Sequence, residues 1–352
     1  MGRLSGIIIA IMLCLPTFAS AQQVPAATPP APGAGHIQLN VEVTGKSGKV
    51  VPGLEAKDFT LLDNGQPSKI LSFRAFAGTS EEAVPGVEVT LILDNVNVEF
   101  DTITNERQQL VAYLRRNDGH LAQPVVILLY SNKGMKVLNQ PSKDGSALAA
   151  QLEAINLLQH SQSNTVNNTV GGYNQMERFH SGVDWTKLIA NNYAKRPGRK
   201  LLIWIGPGWP MLDYQNTQIS EKILQDQFNS IVELSTRLRE AQAALYSVSM
   251  DEDIQSAFLY QSFLKPVKKP EKADPPYLGL KVLAVQSGGM AVPPNNSLAS
   301  QIDKCIQDGV AFYSFSFDPP HGGKPNDYHD LKVQMHQPGL TARTNTGYYT
   351  QP

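Results

Sequence analysis

The chain has 352 residues, 41% hydrophobic and 17% charged, enough for one large domain or two modest ones with a real core. Its 30 lysines and arginines balance 31 aspartates and glutamates, which excludes a bulk charge able to hold nucleic acid or an acidic membrane. Of the 2 cysteines, Cys14 falls in a segment expected to be removed and Cys305 stands alone, so stability must come from burial rather than an intrachain disulfide.

Taken from the start, Met1-Gly2-Arg3 is a short positive region, and residues 7–15 form an apolar run too short to span a bilayer and ended by Pro16. Ala19-Ser20-Ala21 then supplies an A-x-A cleavage pattern. The expectation is a signal peptide cleaved after Ala21, a secreted or periplasmic mature chain starting at Gln22, and no transmembrane anchor after cleavage. Residues 22–35 are rich in proline and alanine and read as a linker. From His36 to Thr44 apolar and polar residues alternate strictly, the mark of a half-buried strand. Shorter strands are expected at 59–62 and 70–73. Between them Asp63-Asn64-Gly65 offers the residues that a tight hairpin turn demands. Residues 36–80 thus read as an N-terminal β segment.

The pattern changes at Val87. Residues 89–93, 125–129, 201–205 and 244–248 are continuous apolar runs, as expected of strands buried on both faces of a parallel sheet. Helical stretches lie between them, at about 104–116, 146–158 and 183–196. The clearest is carried by Leu224, Phe228, Ile231, Leu234, Leu238, Ala241 and Leu245, spaced by three or four. This alternation predicts an α/β segment over 87–317, doubly wound around a mostly parallel sheet. After the aromatic run 312–317, Leu331, Val333 and Met335 alternate with Lys332, Gln334 and His336, and Pro338-Gly339 makes a turn before residues 340–350 return. Neither end has enough strands to be stable alone. The expectation is that 318–352 packs with 36–80 as a small β-sandwich that flanks the α/β segment or carries it as an insertion.

Ligands of open α/β sheets bind beyond the carboxyl ends of the strands, where the strand order reverses. The loops there are Asp94-Asn95-Val96-Asn97-Val98 and Gly206-Pro207-Gly208-Trp209. Leu91-Ile92-Leu93-Asp94 resembles the first strand of a von Willebrand factor A domain, and residues 195–205 are similar to the entry into that fold's fourth strand. Val51-Pro52-Gly53-Leu54, Asp58-Phe59, Asp63-Asn64-Gly65, Ser287-Gly288-Gly289, Pro338-Gly339 and Gly347-Tyr348-Tyr349 resemble, in order and spacing, the VWFA-related family found mainly in Acidobacteria.

The resemblance implies a metal-ion-dependent adhesion site built on an Asp-x-Ser-x-Ser loop, a threonine and a further aspartate. Magnesium requires convergent oxygen ligands. Here Asp94 matches the first aspartate, but Val96 and Val98 fall on the two serines and Pro207 on the last aspartate. Asp94 and Asn97 remain as metal candidates, with Asn95, Glu99 and Asp101 as substitute oxygens. The site therefore reads as degenerate, with no cofactor expected, Mg or Ca being the ion a rebuilt site would take. Asp94, Asn95, Asn97, Trp209 and Tyr214, with Trp185, are candidate contacts for a protein partner, Trp209 as an exposed anchor beside a strand end. The polar stretch 161–175 is expected to be a long binding loop near them. Residues 262–276, rich in lysine and proline, read as an exposed insertion, and Ser262-Phe263-Leu264-Lys265 as a chance match to a nucleophile motif, since Pro266 ends any helix there. His321, His329 and His336 with Asp327 and Asp330 form a loose cluster. No catalytic constellation emerges, so the expected role is an exported protein-binding or adhesion-type module rather than an enzyme. A metal-dependent exported hydrolase using Asp94 or the His321 and His329 cluster is the alternative.

Overall fold

The computed structural model describes residues 35–78, 84, 86–157, 171–212, 219–250, 258–320 and 323–351. The expected signal segment, all but the last residue of the linker, residues 161–170 of the polar loop, Tyr214 and His321 lie outside the described residues.

The first four strands are β1 (Ile37–Thr44), β2 (Phe59–Asp63), β3 (Gln66–Ser68) and β4 (Ser72–Ala77). The middle of the chain alternates β5 (Val87–Asp94), α1 (Phe100–Leu114), β6 (His120–Ser131), β7 (Gly134–Val137), β8 (Ser142–Asp144), α2 (Gly145–Glu153) and α3 (Gly171–Ala194). It continues through β9 (Arg199–Ile205), α4 (Glu221–Glu240), β10 (Ala243–Val248), α5 (Leu280–Gln286), β11 (Met290–Ala291) and α6 (Leu298–Val310). The chain closes with β12 (Ala311–Phe317), β13 (Tyr328–Met335), β14 (Thr341–Arg343) and β15 (Gly347–Tyr349).

The four continuous apolar runs become the centre of one sheet, in the order β11-β10-β9-β5-β6-β7 with β8 also on β6. β11, β10, β9, β5 and β6 run parallel, while β7 and β8 return antiparallel. Alternate residues of each run enter opposite cores. Leu91, Leu93, Ile127, Ile203 and Tyr246 pack with α1, α2 and α6 on one face. Ile92, Leu128, Leu202, Trp204 and Leu245 pack with α3, α4 and α5 on the other. With helices on both faces no strand keeps a polar side, which is why these runs show no alternation.

Two local expectations need correction. The periodic stretch ending at Leu245 spans two elements: α4 stops at Glu240, Gln242 turns at φ 51°, and Leu245 lies in β10. The spacing carries on because α4 and β10 bury residues in the same layer. Gly171 to Gln175, placed in the polar loop, instead belong to α3.

The remaining strands form two four-stranded sheets, β14-β1-β12-β4 and β15-β13-β2-β3. Residues 311–317, assigned by sequence to the α/β segment, pair antiparallel with β1 and β4 rather than joining the parallel sheet. Leu39, Val41, Phe59, Leu61, Phe315, Leu331 and Val333 from the two sheets share one core. Asn64 and Gly65, at φ 48° and 78°, make the β2–β3 turn, where two consecutive positive φ values match the twist of the flanking strands. The stretch expected to be an exposed insertion is anchored at several points, since Val267, Ala273, Pro275 and Pro276 are buried.

Candidate functional site

The strand order reverses at β5, since β6 lies on one side of it and β9 on the other. Asp94 ends β5 at that switch point and is completely buried. Close approach of the β9 loop is possible only because residue 206 is glycine: it sits at φ 125°, and an added Cβ would lie 2.8 Å from the Asp94 Cβ.

The Asp94 carboxylate is surrounded by N–H groups. The backbone N–H groups of Val96 and Asn97 donate to Oδ1 at 3.0 Å each. The Trp204 indole donates to Oδ2 at 3.0 Å. The Asn97 side-chain amide spans both oxygens, 3.2 Å from Oδ1 and 2.9 Å from Oδ2. The opposite amide orientation would set a carbonyl oxygen against a carboxylate, so the nitrogen must face it. Burial raises the Asp94 pKa, and the bonds from Asn97, Trp204 and Val96 oppose that rise.

A bridging position in front of both carboxylate oxygens is where a cation would sit, and the Asn97 nitrogen takes it. Val96 is buried and Val98 packs into the core of the α1 face, so neither offers oxygen. Glu99 and Asp101 are exposed at the start of α1. The group that the family resemblance implies, a hard cation held by convergent oxygens, does not fit this donor set. The loop keeps two spare acceptors, because the buried Oδ1 atoms of Asn95 and Asn97 have no hydrogen-bond partner. Asn95 is otherwise fixed, its amide donating to the Leu157 carbonyl at 3.1 Å.

Trp209 corrects the expected exposed anchor. It is 3% exposed, donates its indole N–H to the Leu278 carbonyl at 2.9 Å, and meets Trp204 edge-on at 5.2 Å. Its ring lies over Gly182 of α3, where an added Cβ would come within 2.4 Å. Tyr130 also meets Trp204 edge-on, at 5.4 Å. Trp185 is half-buried against the same core. The residue that sequence reading missed is Trp204, hidden inside an apolar run; an indole there must find an acceptor, and a strand-end aspartate on the neighbouring strand is the one within reach.

The histidine cluster does not converge among the described residues. His329 Nδ1 meets Asp63 Oδ1 at 2.7 Å, and the Tyr348 hydroxyl donates to Asp63 Oδ2 at 2.6 Å. His336 pairs with the Thr60 hydroxyl at 2.7 Å, and Asp327 accepts from the Lys324 backbone. His329 and His336 thus both bridge to β2, the strand that β13 pairs with. Among the described residues no group of three or more His, Cys, Asp or Glu side chains is placed to hold a metal ion.

A second polar cluster, at the amino ends of the parallel strands, was also missed. Arg199 pairs with Glu42, Arg343 with Asp308, and the Tyr246 hydroxyl donates to Asp308 at 2.8 Å. Glu42 and Arg199 are 1% and 3% exposed. The Arg199 guanidinium also lies 4.4 Å from the Phe312 ring centre. A cavity of about 10 Å³, room for one water, adjoins Asn40, Glu42, Arg199 and Arg239. Asn40 Oδ1, Glu42 Oε2, Arg199 Nε and Nη1 and Arg239 Nε have no hydrogen-bond partner.

Sheet order and switch-point loop together define a doubly wound α/β domain with its candidate ligand face at the carboxyl ends of the strands. Among solved structures the chain is similar to the SpRpn10 VWA domain, at 12% identity and TM-score 0.32, over 63% of this chain and 95% of that one. It is similar also to the conserved hypothetical protein BatB from Bacteroides thetaiotaomicron, at 13% identity and TM-score 0.32, over 62% and 96%. A third likeness is the human COPII-coat protein Sec24c, at 8% identity and TM-score 0.33, over 79% of this chain and 46% of that one. At such scores the likenesses carry no argument about function. No family signature and no curated protein sequence matches the chain.

Proposed function

We propose that this chain is an exported protein-binding module of von Willebrand factor A type, which uses the loops around Asp94 to hold a protein partner without a metal ion and without catalysis. The supporting observation is the Asn97 amide across both Asp94 oxygens, which gives the carboxylate a neutral internal partner in the place of a cation. In this reading residues 36–78 and 311–351, β12 included, form a β-sandwich that carries the α/β segment as an insertion.

Titration calorimetry and thermal melting of the full chain with magnesium or calcium test the reading. So few convergent oxygens predict a dissociation constant worse than about a millimolar. Physiological concentrations should then leave the melting temperature unmoved, because stabilisation follows the ratio of ligand to dissociation constant. Micromolar binding that Asp94→Ala abolishes would sink the proposal and restore a metal-dependent adhesion mechanism.

A further inference from the structure

β13 and β14 follow one another through the turn at Pro338-Gly339, yet they do not pair. β14 joins β1 in one sheet, and residues 331–335 of β13 join β2 in the other. The two arms belong to different sheets, and both line one open cleft of 670 Å³. That volume lies within the usual range of ligand clefts.

Backbone polarity along each arm follows from the bonds already made. The Asp330 carbonyl accepts from Asn64 and the His336 N–H donates to the Asp58 carbonyl, so even-numbered residues of β13 face β2. The Leu331 N–H turns the other way, to the Thr346 carbonyl. Val333 therefore presents its N–H and C=O to the open side, where β15 no longer reaches, since its pairing covers only residues 328–330. On the other arm the Val43 carbonyl accepts from Val51, away from β14. Val43 and Ala342 are thus a non-hydrogen-bonded pair, and the N–H and C=O of Ala342 also point outward. Two strand edges with free donors and acceptors border the same cleft. Its inner wall is apolar, with Met335, Leu340 and Ala342 half-buried against the core of the two small sheets.

We infer that this cleft is a second docking site, and that its occupant is an extended segment of a partner protein added as a β-strand along Val333 and Ala342. Backbone bonds on either arm would hold it, and alternate side chains would bury against Met335, Leu340 and Ala342. Charge specifies the segment further. Lys332 lines the cleft beside the Asp330 carboxylate, while the Arg343 charge is already answered by Asp308. The Lys46 side chain lies over Gly339 at the closed end. The segment is therefore proline-free, apolar at alternate positions and acidic at the end that reaches Lys46. This chain's own residues 22–34 do not suit, because Pro25, Pro29, Pro30 and Pro32 lack the N–H that a strand must donate.

Selection of short random peptides displayed on phage against the full chain tests this. Enriched peptides should show that pattern, and on binding should slow amide exchange at Val333 and Ala342. Ala342→Pro removes one free N–H without touching the β1 ladder and should weaken binding roughly tenfold. Met335→Glu, which leaves the backbone unchanged, should weaken it as well and covers the case in which the proline variant fails to fold. The inference fails if nothing enriches, or if enriched peptides bind both variants like the wild type. It also fails if the cleft proves to be filled by a second copy, seen as a concentration-dependent dimer that Ala342→Pro dissolves. Occupation by the chain's own leader would overturn it too, seen as protection at Val333 that is lost in a chain beginning at Gly35.

Discussion

Two carboxylates are buried at opposite ends of the parallel sheet, and they are kept by different means. Asp94, at the carboxyl end of β5, is answered by neutral N–H groups, from its own loop and from the Trp204 indole on the adjacent strand. Glu42, on β1 beside the amino end of β9, is answered by the full charge of Arg199, with Arg343 and Asp308 beyond. Burial is the largest influence on both and raises both pKa values; for Asp94 hydrogen bonds oppose it, for Glu42 chiefly the positive charges of Arg199 and Arg343. The Asp94 arrangement stays within the parallel sheet, tying the loop after β5 to β9 through Trp204. The Glu42 arrangement ties residues more than 150 positions apart, and it therefore joins the small sheet to the parallel one.

Breaking the Glu42 arrangement should give the largest effect. Arg199→Met leaves Glu42 buried without its direct partner, with an expected loss of about 3–5 kcal/mol in urea denaturation. Glu42→Leu combined with Arg199→Met should recover most of that loss, because two apolar groups need no partner. A double variant as unstable as the single one would show that the loss comes from packing against Phe312 rather than from charge.

The Asp94 end should respond more mildly. Trp204→Phe keeps a ring beside Tyr130 and Trp209 but removes one donor from a buried carboxylate, costing about 2–3 kcal/mol. Asp94→Asn in the Trp204→Phe background should then cost little more, since the charge that needed the indole is gone. A strictly additive pair of losses would argue against coupling between the two residues.

Lys200 sharpens the comparison with a buried cation that makes its hydrogen bonds to backbone carbonyls. It donates to the carbonyls of Arg196, Pro197 and Gly198, which favour its charged form. Burial, and then the nearby Arg196 charge, nevertheless push its pKa down to about 8. Its folded pKa lies below the unfolded one, so folding releases a proton between about 8 and the ordinary lysine range. Stability should rise with pH across that window, by less than about 1.4 kcal/mol per pH unit. Lys200→Met should flatten that rise in denaturant titrations at successive pH values, and an unchanged slope would refute the shift.

Much of this was legible along the chain. Residues 89–93 and 201–205 announce strands covered on both faces, because side chains bound for either core must be apolar. Asp94 stands out as the first carboxylate after such a run, and the valines beside it show that serine oxygens are missing. His36 to Thr44 reads as a strand by alternation alone. Its polar face, however, reads as solvated, whereas the amino end of the parallel sheet covers Glu42.

What the sequence by itself determined is the set of elements: period and turn chemistry act over a few residues and are visible wherever they occur. Which polar side chains become buried partners was decided only by the tertiary structure. Glu42 meets Arg199, Asp63 meets His329, and Asp94 meets Trp204 across separations of about a hundred residues or more. Trp209 follows a Gly-Pro-Gly turn that leaves its direction open, and α3 with the segment at Leu278 closes over it. Burial is a property of what covers a residue, and for these side chains the cover comes from distant parts of the chain.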